Sequence, residues 1–425
     1  MFCDISAIMN ASRPHSILPP LSPDEERHAA VVAAHIRAAI QAAGGWLSFA
    51  RFMELALYSP GLGYYSAGSH KIGRGGDFVT APEISDLFSR CLARQCADVL
   101  AQTGGGEILE LGAGTGRMAT TILESLAEIG ILPDRYAILE VSADLADRQQ
   151  ARVRQLPQSL RERVMWLDRL PEAPIRGVIV ANEVLDALPV QRFTVREPSP
   201  SAGEMSDARM PVSGESFVAV PGSLRAFELG VALDGEEFVW REGADVFGAA
   251  ETLLRDLPVA PPSGYRSELC LRIEPWIASV GQCLEQGLLL LFDYGLPRAH
   301  LYHPQRTEGT LRCHFKQLAH DNPFINLGVQ DITAWVDFTR VAEAALAAGL
   351  EVSGFATQAA FLLGTGIEAM TAAATDLTTQ VRLAGEARRL LLPGEMGEAF
   401  KALALTRDLQ QPLRGFTYQD LRTSL

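Results

Sequence analysis

The sequence predicts an α/β protein built on a mostly parallel sheet, and three observations lead to this prediction. Short apolar runs such as "EILEL" (107–111), "YAILEV" (136–141) and "GVIVAN" (177–182) alternate with stretches of helical periodicity. Such alternation is typical of a parallel sheet with helices on both faces. A glycine-rich turn follows the first of these strands, and 425 residues suffice for one large domain with additions.

Composition narrows the classes of ligand and partner. The chain has 37 basic and 51 acidic residues, a net charge of −14, which disfavours nucleic acid and favours cationic substrates or partners. The longest dense apolar run, "GLLLLF" (287–292), is far shorter than the roughly 20 residues of a membrane-spanning helix, so we expect a buried strand and no membrane insertion. Six scattered cysteines without a CxxC pair indicate reduced thiols.

The chain before the sheet predicts a tail and a helical lobe. Residues 1–22 contain prolines and no signal or transit pattern, which favours a loose tail and a cytoplasmic location. Residues 23–103 form the predicted lobe, with helices over 23–43 and 47–58. In "KIGRGGDFVTAPEIS" (71–85), Thr80 and Glu83 have the spacing of a capping box at the start of a further helix that reaches about Gln102.

Residues 104–425 form the predicted main domain. Its further strands are "VMWL" (164–167) and "GLLLLFDYG" (287–295). An insertion at about 190–265 begins as a Pro/Ser/Gly-rich loop and continues with hairpin strands, including "RAFELGVAL" and "EFVWRE". We expect a helix near 337–349 and then a helical C-terminal part ending in "MGEAFKALAL".

The segment "EILELGAGTGRMA" (107–119) carries the strongest ligand signal. A strand leads into Gly112, Gly114 and Gly116 and then into a helix, so a ligand can approach the backbone. The third glycine comes one residue earlier than in the dinucleotide fingerprint, which disfavours a dehydrogenase. Glu140 ends the second strand and would accept hydrogen bonds from ribose hydroxyls, while Glu110 suits a ligand with ammonium and sulfonium charge and would repel a pyrophosphate.

The pattern "ELGAGTG" resembles the first motif of class I S-adenosylmethionine-dependent methyltransferases. The segments "GDFVTAPEIS", "ILELGAGTGRMA", "ANEVLDALPVQRF", "LLLLFDYG" and "GTLRCHFKQLAHDNPFINLGVQDITAWVDFT" occur in this order. Together they resemble the MidA-like family, whose eukaryotic members are mitochondrial protein arginine methyltransferases that assist assembly of respiratory complex I. The resemblance covers about residues 30–420. It implies a Rossmann-like class I methyltransferase fold with an N-terminal helical lobe and a β-rich insertion, and S-adenosyl-L-methionine as the cofactor.

The motif positions and the resemblance together give a set of cofactor-binding candidates. Gly76 and Asp77 would belong to a loop that closes over the bound nucleoside, unless that segment is an ordinary turn before a capped helix. Asp168 would hold the adenine amino group, unless it is a plain surface residue. The full set is Gly76, Asp77, Glu110, Gly112, Ala113, Gly114, Gly116, Glu140, Asp168 and Asn182.

The catalytic candidates lie in "ANEVLDALP" (181–189), which follows the fourth strand at the carboxyl edge of the sheet. Glu183 and Asp186 are three residues apart, so both carboxylates share one side if the segment is helical. Two carboxylates can hold a guanidinium in a bidentate grip and accept its proton. Glu183 is the leading candidate and Asp186 its partner, although an acid at a strand end can also cap the next helix.

The sequence is compatible with three functions. The first is a protein arginine methyltransferase that acts on a partner protein such as a respiratory complex I subunit. The others are a small-molecule N- or O-methyltransferase and a non-catalytic assembly factor that holds the cofactor. Asp331 and Asp337 bind substrate or cap helices, and the His and Cys residues of 300–320 lack metal-site spacing, so we expect no metal. A homodimer also remains open.

Overall fold

The computed structural model describes residues 18–67, 80–197 and 224–425. The helices there are α1 (Pro23–Ala42), α2 (Phe49–Tyr58), α3 (Ala81–Ile84), α4 (Asp86–Thr103), α5 (Arg117–Ile129), α6 (Ala143–Val153), α7 (Gln158–Arg161), α8 (Gly248–Arg255), α9 (Ile273–Gln282), α10 (Arg298–Leu301), α11 (Phe338–Ala347), α12 (Gln358–Gly364), α13 (Ile367–Ala372) and α14 (Leu377–Leu391). The strands are β1 (Trp46–Leu47), β2 (Glu107–Leu111), β3 (Arg135–Leu139), β4 (Val164–Leu167), β5 (Ile175–Asn182), β6 (Gln191–Arg196), β7 (Arg225–Asp234), β8 (Glu237–Val246), β9 (Arg266–Leu269), β10 (Leu284–Leu296), β11 (Arg312–Phe315), β12 (Leu318–His320), β13 (Asp331–Thr333), β14 (Val336–Asp337), β15 (Glu351–Thr357) and β16 (Phe400–Arg407).

The central sheet has the strand order β15-β16-β10-β5-β2-β3-β4. Strands β10, β5, β2, β3 and β4 run parallel, whereas β16 is antiparallel to both β10 and β15. One face of the sheet packs against α4 and α5, and the opposite face packs against α9 and α11. The predicted α/β fold with a mostly parallel sheet is confirmed, and the carboxyl ends of its five parallel strands meet at one edge.

Three glycines lie side by side at the beginning of β2, β5 and β10. Gly106, Gly177 and Gly287 have φ angles of +135°, +132° and +138°, which side chains rarely adopt. A Cβ on Gly177 would collide with the carbonyl oxygen of Glu107, and a Cβ on Gly287 would collide with that of Gly177. Only glycine therefore lets these three strands approach one another at this end of the sheet.

The C-terminal part of the chain corrects one prediction. We expected "MGEAFKALAL" to end a helical region, but its last residues begin strand β16. Every residue from Phe400 to Thr406 is buried, because β16 has a neighbour on each side and helices cover both faces of the sheet. A fully buried strand shows no alternation of apolar and polar residues, and Ala and Leu favour helices, so periodicity could not identify it.

The N-terminal lobe corrects a second prediction. The expected single helix from Thr80 is two helices, α3 and α4, separated by an extended residue, Ser85, whose hydroxyl caps α4 by accepting from Leu87 N–H at 3.1 Å. The Thr80 side chain makes no capping hydrogen bond. The carboxylate of Glu83 accepts a hydrogen bond from the Thr115 hydroxyl in the glycine turn, so this acid serves the neighbouring turn rather than its own helix.

Two smaller sheets lie beside the central one. Strands β6, β7, β8 and β9 form an antiparallel sheet, which β1 of the N-terminal lobe joins by pairing with β7. Strands β12, β11 and β13 form a three-stranded sheet. Both sheets pack against α1 and α2 in a shared hydrophobic cluster. Across the three described ranges, we find no helix with the length and apolar character needed to cross a membrane.

Candidate active site

A cavity of about 620 Å³ lies at the carboxyl ends of the central strands. This size suits a small organic ligand such as a nucleoside with a side chain. The cavity walls come from the turn after β2, the ends of β3 and β5, and helices α2, α3 and α9. The sequence-predicted residues in its lining are Glu110, Gly112, Ala113, Gly114, Glu140, Asn182 and Glu183.

The glycine turn between β2 and α5 forms the floor of the cavity. Gly112, Gly114 and Gly116 have φ angles of +70°, +54° and +77°, so each glycine permits a left-handed backbone. Gly112 and Gly114 line the cavity, whereas Gly116 lies behind the turn. A Cβ on Gly116 would approach Gln149 to 3.2 Å, so this third glycine is needed for packing beneath the turn.

Glu110 lies at the end of β2 and is almost completely buried. Its Oε2 accepts a hydrogen bond of 2.7 Å from the Tyr136 hydroxyl. Its Oε1 has no hydrogen-bond partner among the described residues. Burial raises the pKa of Glu110 to about 7, despite the hydrogen bond from Tyr136. This unpartnered oxygen in the cavity lining fits a positively charged donor such as the ammonium group of an amino acid.

Glu140 directly follows β3. One of its oxygens accepts a hydrogen bond from Ser142 N–H at 2.9 Å, and the other accepts one from Gln149 Nε2 at 2.8 Å. Burial raises the pKa of Glu140, while these two hydrogen bonds act in the opposite direction. Because each carboxylate oxygen can accept a second hydrogen bond, Glu140 is suited to a pair of ribose hydroxyls.

The cavity lining does not include Asp168, the residue predicted to hold the adenine amino group. Asp168 follows β4 but is exposed and does not line the cavity. The wall in this region is apolar and includes Val141, Leu145, Leu170 and Trp276. Nothing in the sequence connects Trp276 of α9 with the glycine turn, because the two are brought together only by the packing of α9 on the sheet. The predicted loop residues Gly76 and Asp77 lie outside the described residues.

The segment after β5 is a tight turn rather than the helix on which the predicted spacing depended. Glu183 has a φ of +54°, a left-handed conformation that a glutamate rarely adopts. The turn wraps around the buried carboxylate of Asp293 on β10. One oxygen of Asp293 accepts hydrogen bonds from the N–H groups of Val184, Leu185 and Asp186 at 3.2, 2.9 and 3.2 Å. Asp293 belongs to the motif "LLLLFDYG", but no local pattern in the sequence predicts this role.

The two predicted catalytic acids occupy different positions. Glu183 lines the cavity, and its Oε1 accepts a hydrogen bond of 3.1 Å from Asn182 Nδ2. Burial, followed by repulsion from Asp186, raises the pKa of Glu183 to about 8. Asp186 is buried and is not part of the lining. Burial raises its pKa to about 6, although the Tyr294 hydroxyl donates a hydrogen bond to it.

Two tyrosines line the cavity on the side of the N-terminal lobe. The rings of Tyr58 and Tyr65 stack with centroids 5.4 Å apart. The Tyr58 hydroxyl donates to the Ala187 carbonyl, and the Tyr65 hydroxyl donates to Asp331, both at 2.9 Å. Asp337, by contrast, caps α11 by accepting from Arg340 N–H. Of these two aspartates, whose roles the sequence left open, only Asp331 contacts a residue of the cavity lining.

Comparisons with known proteins agree with this geometry. Residues 91–356 match a family model described as S-adenosyl-L-methionine-dependent methyltransferase. A relative from Danio rerio, named protein arginine methyltransferase NDUFAF7, mitochondrial, is 26% identical over 423 residues, covering 89% of this chain and 91% of the relative. The protein of the same name from Rattus norvegicus is 26% identical, covering 90% and 86%.

A solved structure is more similar. A COG1565 superfamily member from Burkholderia thailandensis, bound to S-adenosyl-homocysteine, is 37% identical with a TM-score of 0.86, covering 96% of this chain and all of the other. A native structure from the same organism has a TM-score of 0.83 and 36% identity. These similarities confirm the class I methyltransferase fold and indicate S-adenosyl-L-methionine as the cofactor.

The comparisons contradict the predicted cytoplasmic location. The curated relatives from zebrafish, rat and fruit fly are all named as mitochondrial proteins. The prediction was wrong because it depended on the absence of a recognisable targeting pattern, and such an absence does not determine where a protein works.

Proposed function

The chain belongs to the family of S-adenosyl-L-methionine-dependent methyltransferases whose model it matches over residues 91–356, and on that premise we propose that it methylates arginine side chains of a partner protein. The names of its relatives, protein arginine methyltransferases at 26% identity, support this class of acceptor. The observation that carries the proposal is a group of carboxylates at the acceptor end of the cavity.

The residues of the cavity fit the cofactor. Glu110 offers an unpartnered buried oxygen to an ammonium group, the glycine turn leaves room for the ligand beside the backbone, and Glu140 can accept from two ribose hydroxyls. When bound, S-adenosyl-L-methionine supplies an electrophilic methyl group on a positively charged sulfur. Every other requirement of the reaction falls on the protein, which must hold the acceptor in line and receive a proton.

The acceptor end of the cavity, beside Glu183, is rich in carboxylates. The two arginines of the described cavity lining, Arg117 and Arg272, are each paired with another acid, Asp86 and Glu54 respectively. Burial, followed by repulsion from Asp186, raises the pKa values of Glu183 and Asp293, and burial raises that of Asp186. Among the described residues, the groups that most affect these three pKa values are hydrogen-bond donors and other carboxylates, and none is a lysine or arginine. A guanidinium that enters from outside would supply the missing charge and relieve the repulsion.

Glu183 is placed to orient and deprotonate such an acceptor. A guanidinium is protonated at neutral pH, so its nitrogen must lose a proton as or after the new bond forms. The Glu183 carboxylate would accept an N–H of the guanidinium, direct one nitrogen toward the methyl group and receive that proton. The stacked rings of Tyr58 and Tyr65 give the cation and its aliphatic stem an aromatic wall, and they exclude water from the path.

Labelling distinguishes this function from its alternatives. The purified protein is incubated with methyl-labelled S-adenosyl-L-methionine and a lysate that lacks it, and labelled proteins are digested and searched for methylarginine. A labelled protein with methylarginine supports the proposal, whereas labelled small molecules would indicate a small-molecule methyltransferase. Cofactor binding without any labelled product would indicate an assembly factor. A respiratory complex I subunit is the first acceptor to test, because the five-motif resemblance points to complex I assembly.

Two variants make the assay specific to the site. Glu183→Gln keeps the size of the side chain and removes its ability to accept a proton, so we expect it to lower the rate of labelling by about two to four orders of magnitude. Glu228→Gln is the matched control, because Glu228 is a half-buried carboxylate of β7 whose pKa is raised by burial and which does not line the cavity. Equal loss of labelling in both variants would remove the support for Glu183.

A further inference from the structure

We propose that Gln149 is a positioning residue for cofactor binding, and that it fixes the glycine turn and Glu140 in one geometry. Gln149 lies on α6, is completely buried and does not line the cavity. It therefore acts on the bound cofactor only through the residues it holds. The proposal depends on the cofactor and not on the identity of the methyl acceptor.

All three hydrogen-bonding groups of the Gln149 side chain are used. Its Nε2 donates to the carbonyl oxygen of Gly114 at 3.0 Å and to Oε2 of Glu140 at 2.8 Å. Its Oε1 accepts from the indole N–H of Trp166 at 2.9 Å. A primary amide has two N–H groups and one strong acceptor, so each group has its partner.

Trp166 determines which way the amide faces. An indole nitrogen only donates, so it must meet the amide oxygen rather than the amide nitrogen. The two N–H groups are then directed at the two acceptors, the Gly114 carbonyl and the Glu140 carboxylate. A side chain from α6 and a donor from β4 thus orient groups that follow β2 and β3.

The packing beneath the turn supports the same role. A Cβ on Gly116 would lie 3.2 Å from the Cα and Cγ atoms of Gln149, so the turn and α6 are in close contact. The hydrogen bond from Gln149 also lowers the pKa of Glu140, against the effect of burial. Gln149 therefore favours the ionised form of the carboxylate that accepts the ribose hydroxyls, and holds that carboxylate at a fixed distance from the turn.

Loss of the Gln149 amide should weaken cofactor binding, although Gln149 itself does not line the cavity. In Gln149→Leu, the Gly114 carbonyl and one oxygen of Glu140 lose their partner in a partly buried place, and Glu140 keeps only the hydrogen bond from Ser142 N–H. We expect the dissociation constant of S-adenosyl-homocysteine, measured by isothermal titration calorimetry, to rise at least about tenfold. Gln95→Leu is the control, since Gln95 of α4 is equally buried but accepts a hydrogen bond from Gly415 N–H, and neither residue lines the cavity.

A double substitution separates positioning from general destabilisation. If Gln149 acts mainly through Glu140, then Gln149→Leu should cost clearly less affinity in a Glu140→Ala background than in the native protein. Losses that multiply fully in the double variant would overturn the proposal, as would a Gln149→Leu protein that binds S-adenosyl-homocysteine within twofold of the native value. If Gln149→Leu fails to fold, Gln149→Glu keeps the shape and the Trp166 contact but repels Glu140. An unchanged dissociation constant in that variant would also overturn the proposal.

Discussion

The pKa of Glu183 predicts how methyl transfer depends on pH. The proposed mechanism needs the ionised carboxylate to accept a proton, but burial and repulsion from Asp186 raise the pKa of Glu183 to about 8. In the free enzyme, the ionised fraction therefore grows as the pH rises through this value. We expect kcat/KM for methyl transfer to rise with pH and to level off above about pH 8.

The size of the effect follows from the position of the pKa. At pH 7, one unit below the pKa, about one molecule in eleven carries an ionised Glu183, and at pH 9 about ten in eleven do. The value of kcat/KM should therefore increase about tenfold between pH 7 and pH 9. In Glu183→Gln, the group that titrates is gone, so the remaining rate should be lower by about two to four orders of magnitude and should lack this rise.

The assay is transfer of labelled methyl groups to the protein acceptor identified by labelling, under conditions where the acceptor is below its KM. Calorimetric titration with S-adenosyl-homocysteine at each pH separates cofactor affinity from turnover, which matters because the pKa of Glu110 is also raised, to about 7. Glu228→Gln should retain the native profile. A native profile that is flat from pH 7 to pH 9, or a Glu183→Gln variant with the native rate, would refute the role of Glu183 as the proton acceptor.

Three further predictions concern the cofactor contact, the catalytic turn and the sheet. Glu140→Ala should raise the dissociation constant of S-adenosyl-homocysteine by at least about a hundredfold, since two hydrogen bonds to a charged group contribute about 1.5–3 kcal/mol each. A much smaller change in the calorimetric titration would show that the ribose is held elsewhere. Asp293→Asn places an amide N–H against Tyr294 N–H, so the rate of labelling should fall at least about tenfold in a protein that circular dichroism shows to be folded. A fully active variant would contradict the role of Asp293 in holding the turn. Gly177→Ala should lower the free energy of unfolding by more than about 3 kcal/mol in denaturant titrations, whereas Gly248→Ala, with open space around it, should not.

Sequence patterns predicted the parallel part of the sheet well, because each strand and the helix that follows it are formed by residues close together in the chain. The run "EILEL" occupies the same residues as β2, and "VMWL" the same residues as β4. Strand β16 was missed because its identity depends on neighbours far away in the chain, which bury both of its faces. Its Ala- and Leu-rich sequence on its own favours a helix.

The residues of the candidate site likewise include some that local sequence predicts and others that depend on distant parts of the chain. Residues that directly follow a strand, such as Gly112 and Gly114 after β2 and Glu140 after β3, reach the cavity lining as predicted from that place. The left-handed turn at Glu183 could not be predicted, because it is stabilised by a carboxylate from another strand, Asp293. The role of Gln149 likewise depends on acceptors that follow β2 and β3 and on a donor within β4.

The late position of β16 in the chain has a consequence for synthesis of the protein. The described residues of the cavity lining all lie between residues 54 and 280, yet the strand that completes the sheet beside β10 begins only at Phe400. While the ribosome is still adding the last segment, one edge of β10 stays open to pairing with other nascent chains. A premature stop after residue 399 would therefore keep the described residues of the cavity lining in the sequence and still yield an aggregating product.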